Sequence, residues 1–213
     1  MDFRSYKMPY PVDERYTKRV AYFSMEFAIH QPLKIYSGGL GFLSGSHLRS
    51  AYELNQNLIG IGILWKYGYY DQARNQDQTL QVTWMEKHYS FLEDTGIKFE
   101  ITVHEHPVWV KVFYLNPETF KSAPLFLLST DTPENDYVSQ TITHRLYDAN
   151  VATKVAQYIL LGVGGAKLMD VLGFQPCGLC WLERVFMFPQ VFLIGAAIYF
   201  KDWLIARYGL ILS

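Results

Sequence analysis

Residues 20–64 constrain the fold of this chain more than any other stretch. Residues 20–25 (Val-Ala-Tyr-Phe-Ser-Met) make one short apolar run, and residues 58–64 (Leu-Ile-Gly-Ile-Gly-Ile-Leu) make a second. Runs this short and this apolar read as strands buried within a sheet. Between them lie a glycine-rich turn over residues 35–45 and a helix-periodic stretch over residues 42–54. In that stretch Phe42, Leu43, Leu48, Ala51 and Leu54 recur close to helical spacing. Strand, glycine turn, helix and strand in that order make a βαβ unit, whose crossover leaves the two strands parallel. An α/β fold is therefore expected.

The rest of the first 176 residues extends that sheet. Residues 97–103 and 108–114 predict a hairpin joined through residues 104–107, and residues 125–129 predict a further strand. Residues 149–172 carry a helical pattern broken near residues 162–165, where Gly162, Gly164 and Gly165 suit close helix packing rather than a second phosphate loop. The expected sheet is mixed and mostly parallel, with the hairpin as an excursion and helices on its flanks. Aromatic residues make up 16% of the chain; the first place to put them is the core.

Charge divides the chain in two. Residues 177–213 hold both cysteines and only five charged side chains, Glu183, Arg184, Lys201, Asp202 and Arg207, while the other 34 lie before them. The expected units are therefore residues 1–176 and residues 177–213. The first has no cysteine, no secretory-type N-terminus and no run near the ~20 apolar residues of a membrane span, so it reads as cytoplasmic. The second is apolar on all sides and reads as one helix, or as two broken near Lys201 and Asp202. Such a tail is buried or sits in a membrane through residues 181–212. The net charge of −1, from 19 basic and 20 acidic residues, gives no footprint for nucleic acid.

Several residues invite chemistry. In Tyr36-Ser37-Gly38-Gly39-Leu40-Gly41 the glycines leave backbone N–H groups uncovered, and the following helix presents its positive end to the same space. A phosphate or a sugar hydroxyl suits such a turn, and so does a tight turn with no ligand. The spacing is not G-x-G-x-x-G, and no acidic residue ends the second strand to hold a ribose. Glu26, at the end of the first strand, reads on its own as an exposed or helix-capping carboxylate. His104 and His106 alternate on a presumed strand with Glu105 turned away, but with no third ligand nearby no metal is expected. His47 reads as a partner for a local backbone group or a sugar hydroxyl. Cys177-Gly178-Leu179-Cys180 lacks the second pair that zinc needs and the following histidine that covalent haem needs.

Two resemblances sit on these motifs. Residues 20–27 (Val-Ala-Tyr-Phe-Ser-Met-Glu-Phe), the glycine loop with His47-Leu48, residues 60–64 and 67–72, Arg145-Leu146-Tyr147-Asp148 and residues 159–165 together resemble the N-terminal domain of bacterial α-glucan phosphorylases, over about residues 15–176. That likeness implies a truncated Rossmann-like domain of a GT-B glycosyltransferase. It also implies phosphate-driven release of glucose 1-phosphate from α-1,4-glucan, and a pyridoxal phosphate cofactor whose lysine is not in this chain. Gly38, Gly39, Leu40 and Gly41 would then face phosphate and sugar, and Glu26 would be catalytic at the cleft. Some members of the family carry an acidic residue where this chain has Ser46, so that position is given no role. The resemblance also implies that the chain alone does not catalyse phosphorolysis.

Residues 177–184 with Met187, Phe188 and Pro189 resemble the first cysteine motif of disulfide bond formation protein B and its relatives. This implies a redox pair at Cys177 and Cys180, with Arg184 beside a quinone. Further readings are accordingly a fragment of a membrane thiol oxidoreductase and a non-catalytic glucan-binding remnant. A cytoplasmic glucan domain and an oxidising-side cysteine loop conflict, so the step from Pro176 to Cys177 reads as a junction between two fragments.

Overall fold

A computed structural model of the protein describes residues 3–174. The assignments at Cys177, Cys180 and Arg184, and the helical or membrane reading of residues 177–213, lie outside the described residues. Among the described residues no helix is long and apolar enough to cross a membrane.

The elements in chain order are β1 (Val20–Phe23), α1 (Gly39–Glu53), β2 (Leu58–Ile63), β3 (Asp71–Arg74), β4 (Leu80–Thr83), β5 (Glu93–Val103), β6 (His106–Leu115), α2 (Pro117–Phe120), β7 (Leu125–Ser129) and α3 (Tyr137–Thr141). The last helical stretch comprises α4 (Val151–Ile159), a π-helical turn (Leu160–Gly164) and α5 (Gly165–Val171). Five strands form one sheet in the order β1-β2-β7-β6-β5. β1 pairs parallel with β2, as the βαβ unit requires, and β2 also pairs parallel with β7. β6 is antiparallel to both β7 and β5.

The β5–β6 hairpin is thus part of the main sheet, and the excursion is a different hairpin, β3–β4, paired only with itself. β3 has no apolar alternation, and β4 alternates only Leu80 and Val82 over four residues, both of them exposed, so neither strand gives a period long enough to mark it. β1 also differs from expectation. It is an edge strand with Val20 45% exposed, so only β2 and β7 are buried along their whole length.

Alternation along β2 assigns the layers. Gly60 and Gly62 face Phe27 and Leu48, so close that a methyl group on either would lie 2.8 Å from a neighbouring carbon. Ile61 points the other way, to Gly165 at the start of α5. The sheet therefore lies between α1 on one face and the α4–α5 stretch on the other. That stretch does not break at its glycines. It widens by a π turn, and Gly164 and Gly165 then seat it against Leu128, Phe23 and Ile61. Gly162 faces open space and does not contribute.

On the α5 side of the sheet, Phe3, Tyr6, Tyr114, Phe126 and Phe174 form a buried aromatic cluster with ring centroids 5.0–6.5 Å apart.

The helix-periodic stretch forms α1, but on a different face from the one its large apolar residues mark. Phe42 and Leu43 are 61% and 64% exposed, whereas Gly41, Ser44, Gly45, Leu48 and Ala51 are buried. These five positions follow helical spacing, and four of them are small because the helix lies directly on the backbone of residues 24–30. A Cβ on Gly45 would sit 2.2 Å from the carbonyl oxygen of Ala28.

Asn135 shows how the antiparallel side is finished. β7 ends opposite Lys111, leaving Trp109 of β6 without a strand partner on that side. The side chain of Asn135 replaces it: Oδ1 accepts from the Trp109 N–H at 2.8 Å, and the amide donates to the carbonyls of Trp109 at 2.8 Å and Thr130 at 2.7 Å. Asn135→Ala should orphan these groups and lower the unfolding free energy by about 2–3 kcal/mol, measured by urea denaturation.

Candidate functional site

The three parallel strands end on one side of the sheet, and there the chain gathers its polar residues. β1 runs into Ser24–Phe27 as a tight, buried bend. The Ser24 hydroxyl lies 2.8 Å from Ser44 Oγ of α1 and 2.8 Å from the carbonyl of Glu26. Trp65, fully buried beyond the end of β2, donates its indole N–H to the carbonyl of Met25 at 3.0 Å. The bend directs the Glu26 side chain under the glycine loop.

Glu26 is 2% exposed, so it is neither the exposed carboxylate nor the helix cap that its position alone suggests. Its Oε2 accepts the backbone N–H of Ser37 at 2.6 Å and that of Gly38 at 3.1 Å. Its Oε1 accepts the Ser37 hydroxyl at 3.1 Å and the hydroxyl of Tyr147. Burial by itself would raise the carboxyl pKa, but these hydrogen bonds outweigh it and hold the group below the ordinary glutamate value. Glu26 is therefore an ionised carboxylate whose oxygens are both engaged by protein donors.

The loop divides at Gly38. Ser37 and Gly38 turn their N–H groups inward to Glu26, so the Gly38 amide does not face a ligand space as the sequence suggests. Gly39, Leu40 and Gly41 form the first turn of α1, whose N-terminus has no side-chain cap. Phe42 is the first residue to donate within the helix, to the Gly38 carbonyl at 3.2 Å. Cβ atoms on Gly38 and Gly39 would meet nothing within 4 Å, so this end of the helix faces open space. Gly41 has no such freedom: a Cβ there would lie 2.6 Å from Tyr36 Cβ and 2.9 Å from Glu26 Oε2.

Across the other strand ends runs the segment 141–147. Lys66 and Tyr67, beyond β2, donate their backbone N–H groups to the carbonyls of Thr143 and His144 at 2.9 and 2.8 Å, and Leu146 donates to the Gly68 carbonyl at 3.1 Å. Lys66 pairs with Asp131 at 2.9 Å and with Glu86 at 3.6 Å. The hydrogen bond to Asp131 raises the Lys66 pKa, so the amine stays protonated. His144 is kept below the ordinary histidine value by burial, and its Nε2 is buried without a protein partner.

The structure thus brings Glu26 together with Gly38–Gly41, as the motifs suggest, and adds Ser37 and Tyr147, which sequence reasoning did not single out. Ser37 could have been found as the hydroxyl residue opening the glycine loop. Tyr147 is 121 residues from Glu26, and no local pattern links them. His47 packs its ring on Tyr22 at 4.8 Å, away from this site. His104 and Glu105 are the two central residues of the β5–β6 turn, both with positive φ (48° and 67°), and His106 begins β6. The strand alternation expected for His104 and His106 does not exist. Among the described residues no group of three or more His, Cys, Asp or Glu side chains is placed to hold a metal ion.

No family model matches the chain. It is 54% identical over 152 residues to an uncharacterized protein of Methanocaldococcus jannaschii, covering 71% of this chain and 29% of that protein. It is 34% identical over 170 residues to the maltodextrin phosphorylase of Thermococcus litoralis, covering 76% of this chain and 20% of the enzyme. This chain therefore spans less than a third of the length of these relatives. A second likeness, 41% over 66 residues, is to a probable disulfide formation protein C of Bacillus cereus, covering 27% of this chain and 48% of that protein. That share is longer than the 37 residues after Pro176, so this likeness cannot be confined to them. Over roughly three quarters of its length the chain is a homologue of maltodextrin and glycogen phosphorylases, and over a shorter part it is similar to disulfide formation protein C.

Proposed function

We propose that residues 3–174 form the glucan- and phosphate-facing part of an α-glucan phosphorylase, a Rossmann-like half of a GT-B enzyme, with the ligand site at the uncapped N-terminus of α1. The observation that carries this reading is the division of the glycine loop. Two N–H groups are spent on a buried carboxylate, and the next two residues, Gly39 and Leu40, are exposed at the positive end of a 15-residue helix. A phosphate or a sugar hydroxyl accepts hydrogen bonds from such a turn, at the carboxyl edge of parallel strands where α/β folds bind ligands. Glu26 serves this site from below, as the anchor of the loop, because both its oxygens are already engaged.

Lys66, beside the candidate site, does not fit a Schiff base with pyridoxal phosphate. Such a lysine must reach a neutral state, and Lys66, the lysine at these strand ends, is fixed between Asp131 and Glu86 with its pKa raised. On this reading the cofactor lysine belongs to the part of the relatives that this chain does not match. Incubated with maltodextrin and phosphate, the purified chain is expected to release no glucose 1-phosphate. It should nevertheless bind inorganic phosphate, with amide shifts at Gly39, Leu40 and Gly41 in a ¹⁵N NMR titration. Phosphate shifts confined to other residues would refute the site.

The likeness to disulfide formation protein C favours a separate role for the end of the chain, as a thiol pair of Cys177 and Cys180 at a membrane. Alkylation of these thiols in membrane fractions, before and after an oxidant, tests it.

A further inference from the structure

Tyr147 has a left-handed backbone, with φ at 57°, a conformation that costs a bulky side chain energy and persists only where its surroundings impose it. Its hydroxyl donates to Glu26 Oε1, while its ring stays 40% exposed. On one side its neighbour Leu146 is tied to Gly68 by a backbone hydrogen bond at 3.1 Å. On the other, Asp148 Oδ1 accepts the Asn150 N–H at 2.8 Å, and the Asn150 side chain caps α4. Tyr147 thus joins a segment anchored on the β2–β3 connection and α4 to the carboxylate that holds the glycine loop. Hydrophobic burial does not account for this placement, because the ring remains exposed.

We propose that Tyr147 is a positioning residue of the α1 site: by fixing Glu26 it decides which loop N–H groups turn inward and which stay open to a phosphate-bearing ligand. Ser37 and Gly38 share Oε2, whereas Oε1 receives only two hydroxyls, those of Ser37 and Tyr147. Without the Tyr147 hydroxyl, Glu26 keeps only donors from the Ser37–Gly38 loop itself, so nothing outside the loop fixes the carboxylate and loop and carboxylate can shift together. Other ionisable groups acting on Tyr147 are Tyr158 of α4 and Tyr69, from the connection between β2 and β3. This inference rests on the reading of the α1 N-terminus as the ligand site, and the two are separable by experiment.

The test compares the full 213-residue chain with Tyr147→Phe by amide hydrogen exchange and ¹⁵N NMR. Exchange at Ser37 and Gly38 is expected to speed at least tenfold in the variant, with Ile61 in β2 unchanged. The pH at which the Ser37 amide follows Glu26 ionisation should move up toward the ordinary glutamate range. The apparent Kd for inorganic phosphate, read at Gly39–Gly41, should rise at least fivefold. Tyr147→Asn, whose side chain tolerates the left-handed backbone, should loosen the loop in the same way and keeps the test valid if the phenylalanine variant folds poorly. Unchanged exchange at Ser37 and Gly38 in both variants would overturn the role of Tyr147. If the loop loosens but phosphate never shifts Gly39–Gly41 in the unaltered chain, Tyr147 keeps its positioning role and the ligand site fails instead.

Discussion

Glu26→Leu is expected to lower the unfolding free energy by about 3 kcal/mol. Leucine fills most of the glutamate volume but accepts no hydrogen bond, so the N–H groups of Ser37 and Gly38 and the hydroxyl of Tyr147 lose their acceptor. Each unsatisfied donor costs about 1–3 kcal/mol where water is excluded, and less here, where Ser37 and Tyr147 are partly wet. At this chain length the loss corresponds to a fall in Tm of about 6–12 °C, measurable by calorimetry. Glu26→Gln should cost much less. Its carbonyl oxygen still accepts both N–H groups, and its amide finds acceptors in the Ser37 and Tyr147 hydroxyls once these rotate.

The same pair of variants gives the pH dependence its sign. In the folded chain the Glu26 carboxyl is held below its ordinary value. Its contribution is therefore fully present above the ordinary glutamate range and is lost as pH falls through the lower folded value. Unfolding measured from pH 7 to pH 3 should show a shallower loss for Glu26→Gln than for the unaltered chain. Parallel curves would show that the carboxylate charge is not what holds the loop. On the proposed reading, Glu26→Leu also abolishes the phosphate shifts at Gly39–Gly41, because the turn is no longer fixed.

Gly45→Val, which adds an isopropyl group in mid-helix, is expected to be at least as damaging, by about 3 kcal/mol or more. The Cβ would lie 2.2 Å from the oxygen and 2.7 Å from the carbon of the Ala28 carbonyl. Both belong to backbone, so no side-chain rotation relieves the overlap. Either α1 lifts from the bend at residues 24–30 or the bend moves, and both displace Glu26 relative to Gly41, whose carbonyl accepts the Ala28 N–H at 2.9 Å. Gly39→Ala is the contrasting substitution. Its Cβ would meet nothing within 4 Å, so stability should change by no more than about 0.5 kcal/mol. A Tm for Gly45→Val within 2 °C of the Gly39→Ala value, on the order of what a 1 kcal/mol change produces, would disprove the close approach of α1.

The strands that bear the site were legible in the sequence because their chemistry is local. Residues 58–63 and 125–129 are continuous apolar runs, which only a strand with two buried faces requires, and the glycine turn announces a helix start. The buried face of α1 was legible only in part: Leu48 and Ala51 lie on it, while Phe42, Leu43 and Leu54 do not. Large apolar side chains usually mark the inner side of a helix, but over the first turns of α1 small residues do, since there the helix packs on backbone. β3 and β4 were missed because four-residue strands are too short to establish a period, and the two alternating apolar residues of β4, Leu80 and Val82, are not buried. His104 was misplaced because a two-residue turn, with positive φ at both central positions, interrupts the strand alternation from which its orientation was read.

By itself the sequence determined the βαβ order, the glycine loop and the residues that make this chain a homologue of phosphorylases over most of its length, since all of these rest on neighbours in sequence. What only the tertiary structure decided is the state of Glu26. A carboxylate at a strand end can be a free acid, a helix cap or an anchor, and its role depends on which donors surround it. Three of these come from Ser37 and Gly38, 11 and 12 residues away, and the fourth from Tyr147, 121 residues away. Hydrogen bonds reach only about 3 Å, so no pattern along the chain encodes that meeting, and the fold alone brings it about.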